Sequence, residues 1–234
     1  MNSKKIVSIH QPNFVPWIGY FQKMVNSNIF IILDDVQLPK TGGSWVNRNL
    51  ILNNEKRVWA TIPIQKPKGR TELIQNVMVS NEKQWKLDYL NKIKNFYRKH
   101  EYFHEIYDFL DANLDDNEKS IMKINLRILD SICQSLNLNW PEVLFSSKFE
   151  LLDSKNERIL SLVKLATASV YLSGLGAKNY LDESIFTNAG IEVIYSDPSK
   201  IEYPQKGVEK FVEGLSIVDA LMNIGFKGVE SLLD

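Results

Sequence analysis

The sequence predicts a three-layer α/β domain with a mainly parallel sheet and a helical insertion. Three observations carry that expectation. A strand-helix-strand unit opens the chain, with apolar runs at residues 6–9 and 28–33 around a helical stripe. Strand and helix signals alternate again over residues 142–196. Between them, residues 81–138 carry helical periodicity without one glycine or proline. The division expected is a core of residues 1–80 and 139–234, with 81–138 inserted as helices.

Each element has its own reason. Ile6-Val7-Ser8-Ile9 reads as a buried strand, and Pro12 stops it because proline cannot donate to a central ladder. Asn13 is placed to cap the next helix, and Pro16 suits a first helical turn. Trp17, Tyr20, Phe21 and Met24 follow at helical spacing. The continuous run Ile29-Phe30-Ile31-Ile32-Leu33 fits a parallel strand buried on both faces. Residues 38–43 form a loop punctuated by Pro39, Gly42 and Gly43. Further strands are expected at 58–64 and 73–79, around a basic turn at 66–70. Asn81 with Gln84 and Ser154 with Glu157 have capping-box spacing. Leu90, Ile93 and Tyr97 mark one helical face, and Ile121, Ile124, Ile128 and Ile132 another. The last strands are expected at 142–149, 169–172 and 192–195.

Composition limits the function. Lys plus Arg is 28 and Asp plus Glu is 28, so no net basic field exists and general nucleic-acid binding is not expected. Cys133 is the single cysteine, which excludes an internal disulfide and CxxC zinc sites. It sits in an apolar helix and reads as core. His100 and His104 are four apart, but the order of residues is not that of a His-Glu-x-x-His metal helix. No structural metal is expected. The short apolar run before His10 does not make a signal peptide, and no run of about 18 apolar residues exists. A cytoplasmic protein without membrane insertion is the expectation.

The residues that could carry chemistry gather at strand ends. His10 and Gln11 close the first strand at its carboxyl end, where open α/β sheets bind ligands. Histidine titrates near neutrality and suits proton transfer. Asp34 and Asp35 close the second strand on the same rim, because a right-handed crossover brings both ends to one side. Successive residues in extended chain point opposite ways, which favours Asp34 as the one facing His10. An aspartate there can orient a histidine, bind a ribose or hold Mg²⁺. Trp45, Asn47 and Arg48 offer a stacking surface and a bidentate anion clamp. Ser173-Gly174 ends a later strand and turns toward Lys178, presenting backbone N–H groups to an anion. That turn is neither a Walker A loop nor a dinucleotide fingerprint, and Ser173 lies in no nucleophile elbow.

The stretch His-Gln-Pro-Asn-Phe-x-Pro-Trp-x-Gly-Tyr-Phe at residues 10–21 resembles the WbqC-like family. So do Phe30 to Gln37, Trp45-x-Asn47-Arg48-Asn49, Tyr171-Leu172-Ser173-Gly174, Tyr203-Pro204-Gln205 and Leu215-Ser216-Ile217-x-Asp219. These blocks stand in the family's order and span nearly the whole chain. Leu175 departs from the proline the family often carries after Ser-Gly. The resemblance implies a part in bacterial surface-polysaccharide synthesis, O-antigen included. Glycan assembly decorates nucleotide-linked amino sugars, so the expected activity is acyl or aminoacyl transfer to a sugar amine. His10 and Asp34 are the catalytic candidates, with His10 the general base. Gln11, Asn13, Asp35, Trp45, Asn47, Arg48, Ser173, Gly174 and Lys178 are the substrate-binding candidates. The expected partner is a small molecule, a nucleotide sugar. His10, Asp34, Arg48 and Ser173 are expected to converge on one cleft. No cofactor is identified, and the group donor, any Mg²⁺ and the oligomeric state stay open. One alternative is an adenylating or nucleotidyl-transfer enzyme. The other is a non-catalytic binding protein of a glycan assembly complex.

Overall fold

A computed structural model describes the chain except residues 1–3, 39–43, 66–71, 81–83, 152–154 and 234, and the side chain at 200. The basic turn at 66–70, the glycines of the 38–43 loop, and the capping residues Asn81 and Ser154 lie outside the described residues.

In chain order the first elements are β1 (Ile6–His10), α1 (Ile18–Val25), β2 (Ile29–Ile32), β3 (Arg48–Asn53) and β4 (Lys56–Thr61). Helices α2 (Trp85–Tyr97), α3 (Phe103–Asn113) and α4 (Ile121–Ser135) follow. The chain then runs through β5 (Glu142–Phe145), α5 (Lys155–Leu165), β6 (Val170–Gly174), α6 (Glu183–Asn188), β7 (Glu192–Ser196) and α7 (Ile217–Leu233). It folds as two compact units. The first holds residues 1–11, 19–34 and 139–200; the second holds 12–18, 35–138 and 201–234.

The first unit is a three-layer α/β sandwich. Its five strands run in the order β5-β2-β1-β6-β7, and every neighbouring pair is parallel. A strand covered on both faces needs apolar residues at every position, and β2 reads Ile-Phe-Ile-Ile, all buried. Val7, Ile9, Ile29 and Ile31 point to one face and pack with Leu162 and Val163 of α5 and Phe186 of α6. Each such buried aliphatic side chain contributes about 1.5–3 kcal/mol relative to exposure. Alternate residues face α1: Phe30 meets the Tyr20 ring at 5.3 Å, and Ser8 accepts a hydrogen bond from Ser27 at 2.7 Å.

The second unit pairs an antiparallel hairpin, β3–β4, with α2, α3, α4 and α7. Asn54 and Glu55 turn the hairpin with φ of 45° and 65°. Both central residues at positive φ match the twist of a two-residue hairpin turn. Ser120 caps α4, accepting from Lys123 N. The motif residues Tyr203 and Gln205 meet Asp219 in the core of this unit. Asp219 is fully buried and accepts from Tyr97 Oη (2.9 Å), Tyr203 Oη (2.9 Å) and Gln205 Nε2 (3.0 Å). Burial pushes its carboxyl up from the ordinary range, and the three donors oppose that rise. Gly225 breaks α7 at φ 67°, and a Cβ there would sit 2.6 Å from the Tyr102 ring.

Four local expectations change. Residues 73–79 are not a strand but a 3₁₀ turn, Ile74–Asn76, flanked by isolated bridges from Leu73, Met78 and Val79. Their partners, Gln37, Ser120 and Ile64, lie on separate segments, so no ladder propagates. The strand expected at 142–149 ends at Phe145, where Ser146–Lys148 turns to serve Asp34. Asn13 does not cap a helix, because α1 starts only at Ile18. Pro16 therefore lies ahead of the helix, and its carbonyl accepts from Ile217 N at 2.8 Å.

Candidate functional site

In an open parallel sheet the ligand edge is the carboxyl end of the strands. Strand order reverses direction at β1: β2 and β5 lie to one side, β6 and β7 to the other. Such a switch point leaves a crevice, since the chains leaving the two central strands go opposite ways. The extents of the ladders fit that expectation. β1 pairs with β2 as far as His10–Ile32, and β6 with β7 as far as Gly174–Ser196. Between β1 and β6 the pairing stops at Val7–Tyr171. Beyond it the Ser8 hydroxyl, fully buried, donates to Leu172 O at 3.0 Å in place of a backbone bond.

His10 stands on one lip of this crevice and is half-buried. Its Nδ1 lies 3.2 Å from Gln11 O, which also accepts from Tyr20 Oη at 3.1 Å. The Tyr20 ring meets the imidazole edge-on at 4.8 Å. With Nδ1–H assigned as donor to Gln11, Nε2 is the basic nitrogen. Burial and the cation of Lys23 push the His10 pKa down to about 3, against a smaller opposing effect from Gln11 O. The imidazole is neutral at physiological pH. Lys23 itself is 5% exposed, with Nζ 3.4 Å from Ile9 O, and burial lowers its pKa to about 8.

Gly174 forms part of the other lip. Its backbone is extended, and no atom lies within 4 Å of where a Cβ would stand. Ser173 is 1% exposed. Alternation along β6 puts it on the face of Tyr171, which stacks on Phe186 of α6 at 5.5 Å. Lys178 is exposed, with Nζ 5.9 Å from the Tyr195 ring centre. Asp34 is 2% exposed and closes the β2–β5 side of the rim. One oxygen accepts from Ser147 N (2.9 Å) and Ser146 Oγ (3.2 Å), the other from Ser147 Oγ (2.7 Å).

The remaining candidates belong to the second unit. There the segment at residues 12–18 is tied by hydrogen bonds at several points. Asn125 donates to Pro12 O (2.8 Å), Ser216 Oγ to Val15 O (2.7 Å), and Phe14 N to Trp45 O (2.7 Å). Val15 is held at φ 38°, a conformation that costs a β-branched residue about 1–3 kcal/mol. Asn13 is 2% exposed, and its Oδ1 has no hydrogen-bond partner. Trp45 sits in a row of half-buried rings: Trp17 at 5.0 Å on one side, Trp59 at 5.3 Å on the other. The Arg48 guanidinium lies over the Trp59 ring at 4.0 Å, while its Nε is sequestered without a partner. Asn47 is committed to β4's end, donating to Ile62 O at 3.0 Å. Asp35 is half-buried.

Three residues of these constellations were not legible beforehand. Lys23 looks like any solvated helix lysine, although Tyr20 and Met24 around it mark the buried face. Trp17 reads as core at helical spacing, and Trp59 as a strand residue. Among the described residues, no group of three or more His, Cys, Asp or Glu side chains lies together as a metal site would require. No helix among them is long and apolar enough to cross a membrane.

Comparison with known proteins supplies the relationship. A Mycobacterium tuberculosis chain, described as the uncharacterized protein Rv1507c, is 32% identical over 230 residues, covering 97% of each chain. No solved structure gives a significant match. The model of the WbqC-like protein family matches residues 11–231. That match takes in residues of both units, from the start of the tied segment to the last turn of α7, and the chain belongs to the WbqC-like protein family.

Proposed function

We propose that this protein is a glycan-biosynthesis transferase that places an acyl or aminoacyl group on the amine of a nucleotide-linked amino sugar. Membership of the WbqC-like family points to glycan biosynthesis in general. The observation that carries the finer reading is the crevice between β1 and β6, with neutral His10 on its lip. In the reaction the sugar amine attacks the donor's carbonyl carbon. A C–N bond forms, the bond to the leaving group breaks, and the amine's proton passes to His10 Nε2. A base with so low a proton affinity is weak on its own. A diphosphate entering the crevice brings negative charge, which raises that affinity against Lys23. Gln11, Ser173, Gly174 and Lys178 would meet the nucleotide sugar from the first unit. Asp34 would hold the rim in shape. Within the second unit, taken by itself, Asn13, Asp35, Trp45, Asn47 and Arg48 are proposed substrate-binding residues.

A thermal-shift series with uridine-diphosphate amino sugars, free nucleotides and acyl-CoA tests binding, since a ligand of the native state raises the melting temperature. Mass spectrometry of the sugar then tests transfer. Gly174→Leu adds a side chain where the Cβ position meets nothing within 4 Å, and should abolish the shift while leaving the protein folded. No shift with any nucleotide sugar would exclude the reading.

The strand order favours one other reading, nucleotidyl transfer or adenylation, because doubly wound sheets bind nucleotides at the same switch point. Release of pyrophosphate from a nucleoside triphosphate would select it over acyl transfer.

A further inference from the structure

We infer that the second unit carries a separate oxyanion site, built where α2 ends beside the β3–β4 turn, that takes a small phosphate-bearing molecule. The site is a cavity of about 330 Å³. Arg98, Lys99, His100, Lys206 and the turn residues Asn54 and Glu55 are among those that line it. That volume lies at the lower end for small-molecule pockets, which suits a phosphomonoester better than a whole nucleotide sugar.

Three observations converge. The first is charge: Arg98, Lys99 and Lys206 bring three cations against the single carboxylate of Glu55. In a chain with equal numbers of basic and acidic residues, this is a local concentration and not a general field. The second is an unsatisfied atom. His100 donates through Nδ1–H to Tyr97 O at 3.1 Å, but its Nε2 is sequestered with no partner. A buried polar atom left unpaired costs about 1–3 kcal/mol, so a ligand oxygen that reached it would remove that penalty. With Nδ1–H directed at the carbonyl, Nε2 pairs with a protonated phosphate oxygen; protonated, the ring donates to a dianion. The third is rigidity. Tyr97 lines the cavity and is fully buried, with its hydroxyl fixed by Leu52 N at 2.8 Å and Asp219 at 2.9 Å. Lys206 is anchored at both ends, its backbone N donating to Asn223 Oδ1 at 2.8 Å and its Nζ to Lys99 O. A pre-organised cationic wall loses little freedom when an anion arrives.

Burial and the Lys206 cation hold the His100 pKa below its ordinary value, in keeping with a site that is short of negative charge. His100 belongs to none of the motif blocks and has no part in the transfer reaction proposed above.

Isothermal titration calorimetry at low ionic strength tests the site with inorganic phosphate, glucose 1-phosphate and uridine monophosphate as probes. Saturable binding of one or more is expected, and the order of affinity tells whether the phosphate alone, a sugar or a nucleoside is read. Arg98→Gln combined with Lys206→Gln should weaken binding by about tenfold or more. Both are exposed, so the fold should survive, which a melt confirms. Phosphate should also move the His100 ring resonances in nuclear magnetic resonance spectra and leave those of His10 in place. Gly174→Leu should not change the affinity, which separates this site from the crevice. Failure of all three probes to bind would overturn the inference. So would binding that is indifferent to the Arg98 and Lys206 changes.

Discussion

Burial, reinforced by the ammonium of Lys23, keeps His10 uncharged. The ammonium reaches the carbonyl of Ile9, one residue before the imidazole, and its field adds to burial in keeping the ring unprotonated. Lys23→Met removes that field and keeps most of the side-chain volume. The His10 titration midpoint, followed by nuclear magnetic resonance, should then move up from about 3. An unchanged midpoint would show that burial alone governs the ring.

The same pair gives the protein a pH signature. His10 titrates at about 3 when folded and near its ordinary 6.5 when unfolded, so between those values the unfolded chain binds more protons. The stability that neutral His10 provides is full above pH 6.5 and is lost as pH falls toward 3. Lys23, at about 8 against 10.5, adds stability as pH rises through that higher window. Urea unfolding from pH 4 to 7 should be steeper in pH for wild type than for His10→Gln.

If His10 accepts the proton in transfer, His10→Ala should lower kcat by about 10²-fold or more. Arg48→Ala should chiefly raise KM, because an anion clamp binds ground and transition states alike. It should also alter tryptophan fluorescence, since Arg48 rests on Trp59. A kcat loss confined to Arg48→Ala would reverse these roles.

Asp219→Ala strands two tyrosine hydroxyls and the Gln205 amide in the core of the second unit. The expected loss is roughly 2–4 kcal/mol by urea denaturation. Asp219→Asn keeps an acceptor and should cost less.

Two backbone positions give opposite signs. Thr167 is exposed and sits at φ 52° just past α5, where glycine is the usual residue. Thr167→Gly should raise the melting temperature, by relief of about 1 kcal/mol. Gly225→Ala combines positive φ with a 2.6 Å approach to Tyr102 and should lower it clearly.

Much of the first unit could be read from the chain because its strands are continuous apolar runs. Ile29 to Ile32 can only be a strand buried on both sides, and the isoleucines at 121, 124, 128 and 132 can only face one way on a helix. The hairpin partner β3 carries no such signal, since its turn uses Asn54 and Glu55 without a glycine to announce it. Helix α1 begins later than Asn13 suggests, because the tied segment holds Val15 in a left-handed conformation that no local signal demands. The site was legible as strand ends, not as electrostatics. A lysine's burial depends on what packs over it from distant parts of the chain. The separation of β1 from β6 depends on ladder register, which no single strand encodes.

Strand order also bears on how the chain is made. Beside the β1–β2 pairing, Ile29 meets its other neighbour only at Glu142, and Val7 its other only at Tyr171. On a ribosome, β1, α1 and β2 emerge with two open ladder edges long before either neighbour exists. Pairings of such sequence separation fold slowly, and exposed parallel edges invite association with other nascent chains. Synthesis should therefore depend on chaperones until residue 174 has cleared the exit tunnel. Truncations ending before β6 should accumulate as aggregates even though they contain the whole opening motif.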